Sequence, residues 1–255
     1  MTKLKVLDLF SGIGGFSLGL KRAVSDGPYT GFETVAFCEI EPFPRKVLAK
    51  HWPEVPCYDD VRTLTAERLA TDGIAVDVIC GGFPCQDISR AGKKAGISAG
   101  TRSGLWSEIA RLIGELRPSY AIVENVAAII SNGLGTVIGD LAALGYDAEW
   151  HCIPAYYVGS PQTRDRAWIV AYPMQQGCAG RRSGGSGRGQ CRSGKARQID
   201  WPRIEAKNVQ LWPEPEVGRV FDGFPREVDA INALGNAVVP QIPELIGNAI
   251  LAAHK

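Results

Sequence analysis

A cysteine becomes a nucleophile when its thiolate is exposed and held still. Cys85 stands in Gly81-Gly82-Phe83-Pro84-Cys85-Gln86-Asp87-Ile88-Ser89, behind a proline at the end of an apolar run. That setting is stiff and open, unlike the surroundings of a core cysteine. A cysteine hydrolase would also need a histidine base, and His51, His151 and His254 sit in no supporting motif. Two further segments carry chemistry. Tyr120-Ala121-Ile122-Val123-Glu124-Asn125-Val126 ends an apolar run in an acid; partial desolvation raises the pKa of such a carboxyl and favours its protonated form. Gln162-Thr163-Arg164-Asp165-Arg166 alternates its arginines. In an extended segment, that spacing puts both guanidiniums on one side, where they can grip one anionic or carbonyl-rich ligand.

A ligand-binding turn precedes all of these. Asp8-Leu9-Phe10-Ser11-Gly12-Ile13-Gly14-Gly15-Phe16 has an apolar strand running into glycines and then into helical spacing. Such a turn lets backbone approach a nucleotide-like ligand closely. The spacing is not GxGxxG and no lysine follows, so a dehydrogenase or a tight structural turn would account for it equally well. Glu39 ends the next apolar run, where an acid grips ribose hydroxyls. Asp60, in Asp59-Asp60-Val61, could accept from an adenine amino group. Near the C-terminus, Leu234-Gly235-Asn236-Ala237 reads by itself as a helix start or a tight turn.

The elements that must position these residues alternate between strand and helix. Strands are expected at Lys5–Phe10, Thr34–Ile40, Val76–Cys80, Tyr120–Val123, Glu149–Tyr156 and Ala167–Ala171. Helices are expected at Phe16–Val24, Pro44–His51, Ser107–Leu116 and Thr136–Leu144. The alternation predicts an α/β fold with a mostly parallel sheet and helices on both faces. Ligands in such sheets sit at the carboxyl ends of the strands, which gathers Phe10, Glu39, Cys85 and Glu124 along one edge. Composition changes near residue 171: Tyr172–Lys207 is rich in Gly, Ser, Arg and Gln with little apolar periodicity, as in a weakly folded basic insert. A helical pattern returns from Arg226, broken at Pro240 and Pro243.

Bulk properties narrow the class. The 255 residues are 45% hydrophobic and 22% charged, which suits one globular domain with a small appendage. No apolar run reaches the roughly eighteen residues a membrane helix needs. The N-terminus reads as a strand and not a signal peptide, because Asp8 interrupts its apolar run. Seven cysteines without a CxxC pair argue against both a disulfide framework and a zinc site; no metal is expected. A net charge of +1 decides nothing, but Gly177–Ile199 carries Arg181, Arg182, Arg188, Arg192, Lys195 and Arg197 with no acid. Arg90, Lys93, Lys94 and Arg102 follow Cys85 closely. Both are patches of the kind that bind phosphates.

In this order, the glycine turn, Pro84-Cys85-Gln86, Glu124-Asn125-Val126, Gln162-x-Arg164-x-Arg166 and Gly235-Asn236 resemble the cytosine carbon-5 DNA methyltransferase family. The likeness covers residues 5–170 and about 219–255. It implies a Rossmann-like S-adenosylmethionine-dependent methyltransferase fold acting on double-stranded DNA. Cys85 would be the nucleophile, assisted by Glu124, Arg164 and Arg166. The cofactor, S-adenosyl-L-methionine, would meet Asp8, Phe10, Ser11, Gly12, Gly14, Gly15, Glu39, Ile40, Asp60, Val61, Gly82, Pro84, Asn236 and Ala237. Phe10 would pack on the adenine, Glu39 would bind the ribose, and Asp60 and Val61 would frame the adenine edge. Glu124 would hold the cytosine at nitrogen 3 and its amino group. Arg164 and Arg166 would contact the base oxygen and nearby backbone. Asn236 would brace the site from the C-terminal helix. Residues Gln86 to Gly104 match the family's mobile loop. DNA would be met by Gln86, Ser89, Arg90, Lys93, Lys94, Arg102, Gln162, Arg181, Arg182 and Arg188.

The resemblance implies three regions: a catalytic and cofactor-binding domain at 1–171, a target-recognition region at 172–224, and a helical segment at 225–255 that packs back. The middle region is much shorter than the family's folded unit, which implies a short or relaxed recognition sequence. The expected setting is a monomer in the cytoplasm of a bacterium or phage-infected host, associated with the nucleoid and serving DNA modification. Three alternatives compete. A tRNA cytosine methyltransferase would carry extra cysteine motifs that Tyr172–Phe224 lacks. A catalytically dead binding module would not need Cys85, Glu124 and both arginines together. A nicotinamide dehydrogenase would need a general base and a hydride-site motif.

Overall fold

The first strand shows why this chain builds a central sheet: Leu4, Val6, Leu7 and Leu9 are all buried, and they face both ways. A strand with two buried faces must lie between two layers of helix. The computed structural model describes residues 2–84, 102–160, 164–174 and 233–254. Seven strands lie in one sheet: β1 (Thr2–Leu9), β2 (Tyr29–Cys38), β3 (Cys57–Tyr58), β4 (Val78–Gly82), β5 (Tyr120–Val126), β6 (Tyr146–Pro154) and β7 (Asp165–Pro173). Their order is β3-β2-β1-β4-β5-β7-β6. The first five are mutually parallel, and β7 runs antiparallel between β5 and β6.

The described helices are α1 (Gly15–Arg22), α2 (Pro42–His51), α3 (Ala66–Thr71), α4 (Trp106–Leu116), α5 (Ile129–Asn132), α6 (Leu134–Ala143) and α7 (Gln241–Ala252). They divide between the two faces. On one face, Leu7, Leu9, Ile79, Ala121 and Val123 pack with Leu69 of α3, Ile109 and Leu112 of α4, and Val137 and Leu141 of α6. On the other, Val6, Val78, Ile122 and Trp168 pack with Phe16 and Leu20 of α1 and with Ile242, Ile246 and Ile250 of α7. The helix α4 shows how sequence sets this. Trp106, Ile109, Leu112 and Ile113 form one buried stripe, the spacing expected of an amphipathic helix. The helix ends at Arg117, whose left-handed φ of 51° breaks the spiral just before Pro118.

The expected doubly covered, mostly parallel sheet is present. The differences are local. The β6 strand begins at Tyr146, and the last two residues of the expected Glu149–Tyr156 strand, Ala155 and Tyr156, open a 3-10 turn over Ala155–Val158 instead. The β7 strand runs on to Pro173, two residues past the expected boundary at 171. The two-residue β3 and the six-residue α3 are too short to give a readable period.

Two glycines let the C-terminal segment close onto α1. A Cβ at Gly15 would lie 2.6 Å from the Val238 carbonyl oxygen, and one at Gly19 only 2.1 Å from that of Pro240. Any side chain at either place would push the 238–240 backbone off the helix.

Candidate active site

The strand ends gather the groups expected to do chemistry. The turn after β1 is left-handed at Phe10, Gly12 and Gly14, with φ of 51°, 52° and 85°. Ser11 joins this turn to β2: its N–H donates to the Cys38 carbonyl at 3.2 Å, and its hydroxyl donates to the Asp8 carbonyl at 2.5 Å. A Cβ on Gly12 would meet nothing within 4 Å, so the turn faces open space there. Beside Gly14, by contrast, the Trp52 ring would lie 2.7 Å from a Cβ.

Glu39 faces this turn. Its Oε2 accepts the Gly12 N–H at 2.7 Å and its Oε1 accepts the Glu41 N–H at 2.8 Å. A carboxylate offers about four acceptor positions, so each oxygen keeps capacity for a hydroxyl. Ile40, next in the chain, is a large exposed apolar side chain at 59%, and Phe10 is half-buried against the core. Both are apolar surfaces suited to a flat ring. The Asp60 carboxylate is held by its neighbour: the Arg62 guanidinium donates to Oδ2 at 2.6 Å, and hydrogen bonds from Arg62 keep the Asp60 carboxyl below the usual carboxylate range. Val61 is buried at 5%.

Asp8 is placed differently from the expectation. The resemblance puts it at the cofactor, yet it is 0% exposed and turned into the protein. The Ser17 hydroxyl and N–H donate to its Oδ2 at 2.7 and 3.3 Å, which ties the end of β1 to the first turn of α1. Its Oδ1 meets no well-formed donor, and the Cys80 thiol is another polar group nearby. Burial pushes the Asp8 carboxyl up to about 7, against the pull of the Ser17 bonds. Asp8 therefore shapes the turn from behind. An ordinary carboxyl titrates near 4, so between there and about 7 the folded state holds a proton that the unfolded chain has lost. Stability then falls as pH rises through that window. Asp8→Asn is expected to lose roughly 2–3 kcal/mol less than wild type between pH 5 and pH 7 in urea titrations. Equal losses in the two proteins would show that Asp8 ionises like a surface acid.

Glu124 lies near the end of β5, directly beside Gly82 of β4, its register partner. A Cβ on Gly82 would lie 2.7 Å from Glu124 Oε2, so only glycine leaves the carboxyl this position, three residues before Cys85. Arg166, on the neighbouring strand, donates through Nε to Glu124 Oε1 at 2.9 Å. Burial raises the Glu124 pKa, and the charges of Arg166 and Arg164 oppose that rise. Asn125 fixes the chain leading to Cys85: its side-chain amide donates to the Phe83 carbonyl at 3.1 Å. Pro84 follows, half-buried.

Arg164 reaches the C-terminal segment. Its Nη1 donates to the Gly235 carbonyl at 2.5 Å, which draws the helical turn over 233–236 to the mouth of β7. Asn236 is exposed there, and Ala237 is half-buried. The structure thus brings together Glu39 with the glycine turn, and Glu124 with Gly82 and Arg166. Cys85, Gln86, Ser89, Arg90, Lys93, Lys94, Gln162, Arg181, Arg182 and Arg188 lie outside the described residues, as does the side chain of Arg102. Sequence reasoning missed Ser17 and also Arg45, which donates to the carbonyls of Glu39 and Cys57 at 3.2 and 3.3 Å. Neither stands in a recognisable motif. Among the described residues no group of His, Cys, Asp or Glu could hold a metal, and no helix is long and apolar enough to cross a membrane.

Residues 4–184 match the family model of C-5 cytosine-specific DNA methylases. The chain belongs to this family. A curated relative, Type II methyltransferase M2.BsuMI of Bacillus subtilis, is 36% identical over 176 residues, covering 66% of this family member and 42% of the relative. A solved structure described as a DNA modification methyltransferase encoded within an Escherichia coli prophage is 29% identical with a TM-score of 0.55. It covers 67% of this chain and 47% of that one. DNMT2 of Spodoptera frugiperda, 23% identical with a TM-score of 0.55 over 71% of this chain and 53% of its own, shares the fold. This family member therefore spans less than half the length of the curated relatives it matches.

Proposed function

We propose that this protein transfers a methyl group from S-adenosyl-L-methionine to carbon 5 of a cytosine swung out of double-stranded DNA, in DNA modification. The observation that carries the reading is the buried Glu124 carboxyl, 2.9 Å from Arg166 and packed on Gly82 at the strand end that leads to Pro84-Cys85. Family membership supports it.

The turn fits the methyl donor. Gly12 opens onto free space, Glu39 has acceptor capacity for two ribose hydroxyls, and Phe10 and Ile40 offer apolar surface to the adenine. Asp60 and Val61 would border the adenine edge, with Gly82, Pro84, Asn236 and Ala237 closing the methyl-bearing end. When bound, the donor supplies an electrophilic methyl on a sulfonium.

The chain's own residues would make the acceptor. Carbon 5 of cytosine is too electron-poor to attack such a methyl. Adding the Cys85 thiolate to carbon 6 makes carbon 5 enamine-like, and negative charge moves toward nitrogen 3. Protonated Glu124 donates a hydrogen bond there, while the cations of Arg166 and Arg164 stabilise charge toward the base oxygen. After carbon 5 takes the methyl, a base removes its proton, the carbon–sulfur bond breaks and the thiolate returns. The target atoms lie inside the duplex, so extrusion costs a few kcal/mol. Arg90, Lys93, Lys94 and Arg102 would offset part of that through phosphates, and Gln86, Ser89, Gln162, Arg181, Arg182 and Arg188 complete the proposed DNA contacts. Phosphate contacts position and base-edge contacts specify, so a short 172–224 region implies a short or relaxed site. The reading also implies a monomer acting in the cytoplasm, near the nucleoid.

Bisulfite sequencing of plasmid DNA recovered from cells expressing the chain tests the activity and reads the site together. Methylated cytosines in a common short context are expected. An unmodified plasmid, with tRNA methylated by the same protein, would replace DNA with tRNA as substrate.

A further inference from the structure

One guanidinium outside the reacting centre holds an unusual set of partners. Arg111, in the middle of α4, donates through Nη2 to the main-chain carbonyls of Val61 at 3.0 Å and Leu64 at 2.8 Å. Its Nε donates to Glu108 at 2.8 Å and its Nη1 to Glu115 at 2.7 Å. Glu115 in turn uses its second oxygen to accept the Ala66 N–H at 2.9 Å, at the start of α3. The segment held in this way carries Asp60 and Val61 at one end and α3 at the other. Inside it, the Asp60 carbonyl accepts from Thr63 N–H at 3.1 Å and the Asp60 carboxylate accepts from Arg62 N–H at 2.9 Å. The turn is therefore closed on itself, and Arg111 is what bolts it to a helix. The two glutamates fix the plane of the guanidinium, and that plane aims the remaining N–H bonds at the turn.

We propose that Arg111 is a positioning residue for the methyl donor, setting the placement of Asp60 and Val61 against the adenine. This rests on the cofactor reading given above. A planar fork is needed because four directed donors are used at once; a lysine ammonium has three donors and no fixed plane. Arg111 touches no reacting atom. Its loss should therefore weaken binding of the donor without altering the chemical step at saturation.

The test is steady-state kinetics on the full chain with Arg111→Gln and Arg111→Lys, with S-adenosyl-L-homocysteine binding measured by calorimetry. Arg111→Gln is expected to raise the KM for S-adenosylmethionine and the Kd for S-adenosylhomocysteine about thirtyfold, the worth of two net hydrogen bonds. Arg111→Lys should fall between it and wild type. In both variants the KM for DNA and the saturating kcat should stay within about threefold, since uniform binding loss leaves kcat intact. Arg68→Gln, which breaks a surface pair between α3 and Asp72 just past its end, should leave all four values unchanged. If Arg111→Gln does not fold, the lysine variant decides. Unchanged cofactor constants, or losses of kcat and both KM values together, would overturn the positioning role. A wild-type protein that binds no S-adenosylhomocysteine would instead sink the cofactor reading itself.

Discussion

Cys85→Ala is expected to abolish methyl transfer while leaving DNA and cofactor binding in place. Without the thiolate nothing adds to carbon 6, and carbon 5 stays electron-poor. Removing an enzyme's nucleophile typically costs on the order of a millionfold in rate, so the variant should sit at the assay floor. The contrast among cysteines sharpens the expectation. Cys38 and Cys80 are buried; burial pushes the Cys38 thiol up to about 12 and raises that of Cys80 well above its ordinary value. Neither can supply a thiolate near neutral pH. A duplex with 5-fluorocytosine at the target adds a direct reading: after methyl transfer the fluorine cannot leave as the proton does, so the bond to Cys85 persists. Peptide mapping should find the adduct at Cys85. Full activity in Cys85→Ala would end the covalent mechanism.

Glu124→Gln should slow single-turnover methylation by on the order of a hundredfold to ten thousandfold, the usual worth of a positioned acid. The pH dependence separates an acid from a mere hydrogen-bonding group. Burial raises the Glu124 carboxyl above its ordinary range, and the protonated form does the work. The rate should fall as pH rises through the folded-state pKa, which lies above that of an exposed glutamate. The falling limb is assigned to Glu124 by its loss in Glu124→Gln. Arg166→Met removes the closest opposing charge, 2.9 Å away, and should move the falling limb to higher pH. A glutamine variant with nearly normal rate, or a falling limb that survives in it, would remove Glu124 from proton donation.

Much of the fold and of the candidate site is legible in the amino-acid sequence because the chemistry sits where local signals are strong. The apolar runs that end at Phe10, Glu39, Gly82 and Glu124 announce the strands of a sheet covered on both faces. The ends of parallel strands must share an edge, which puts Glu39, Glu124 and the glycine turn together. Short elements leave no such trace. The direction of β7 is also unreadable: a strand's side-chain period is the same whether it runs up or down. Only the sheet reveals that β7 lies antiparallel to β5 and so lays Arg166 alongside Val126, its partner across the ladder.

The amino-acid sequence by itself determined the kinds of groups present, their order, and the edge on which the β1, β2, β4 and β5 strand ends place them. The tertiary structure alone decided which way each group faces and what it is bonded to. It turned Asp8 inward onto Ser17, sent Arg164 to the Gly235 carbonyl 71 residues away, and set Arg111 on carbonyls 50 and 47 residues before it. The reason is physical. Periodicity records which side of an element avoids water, and that is fixed locally. Hydrogen bonds between distant residues depend on distances of a few ångströms, and these exist only once the layers have packed.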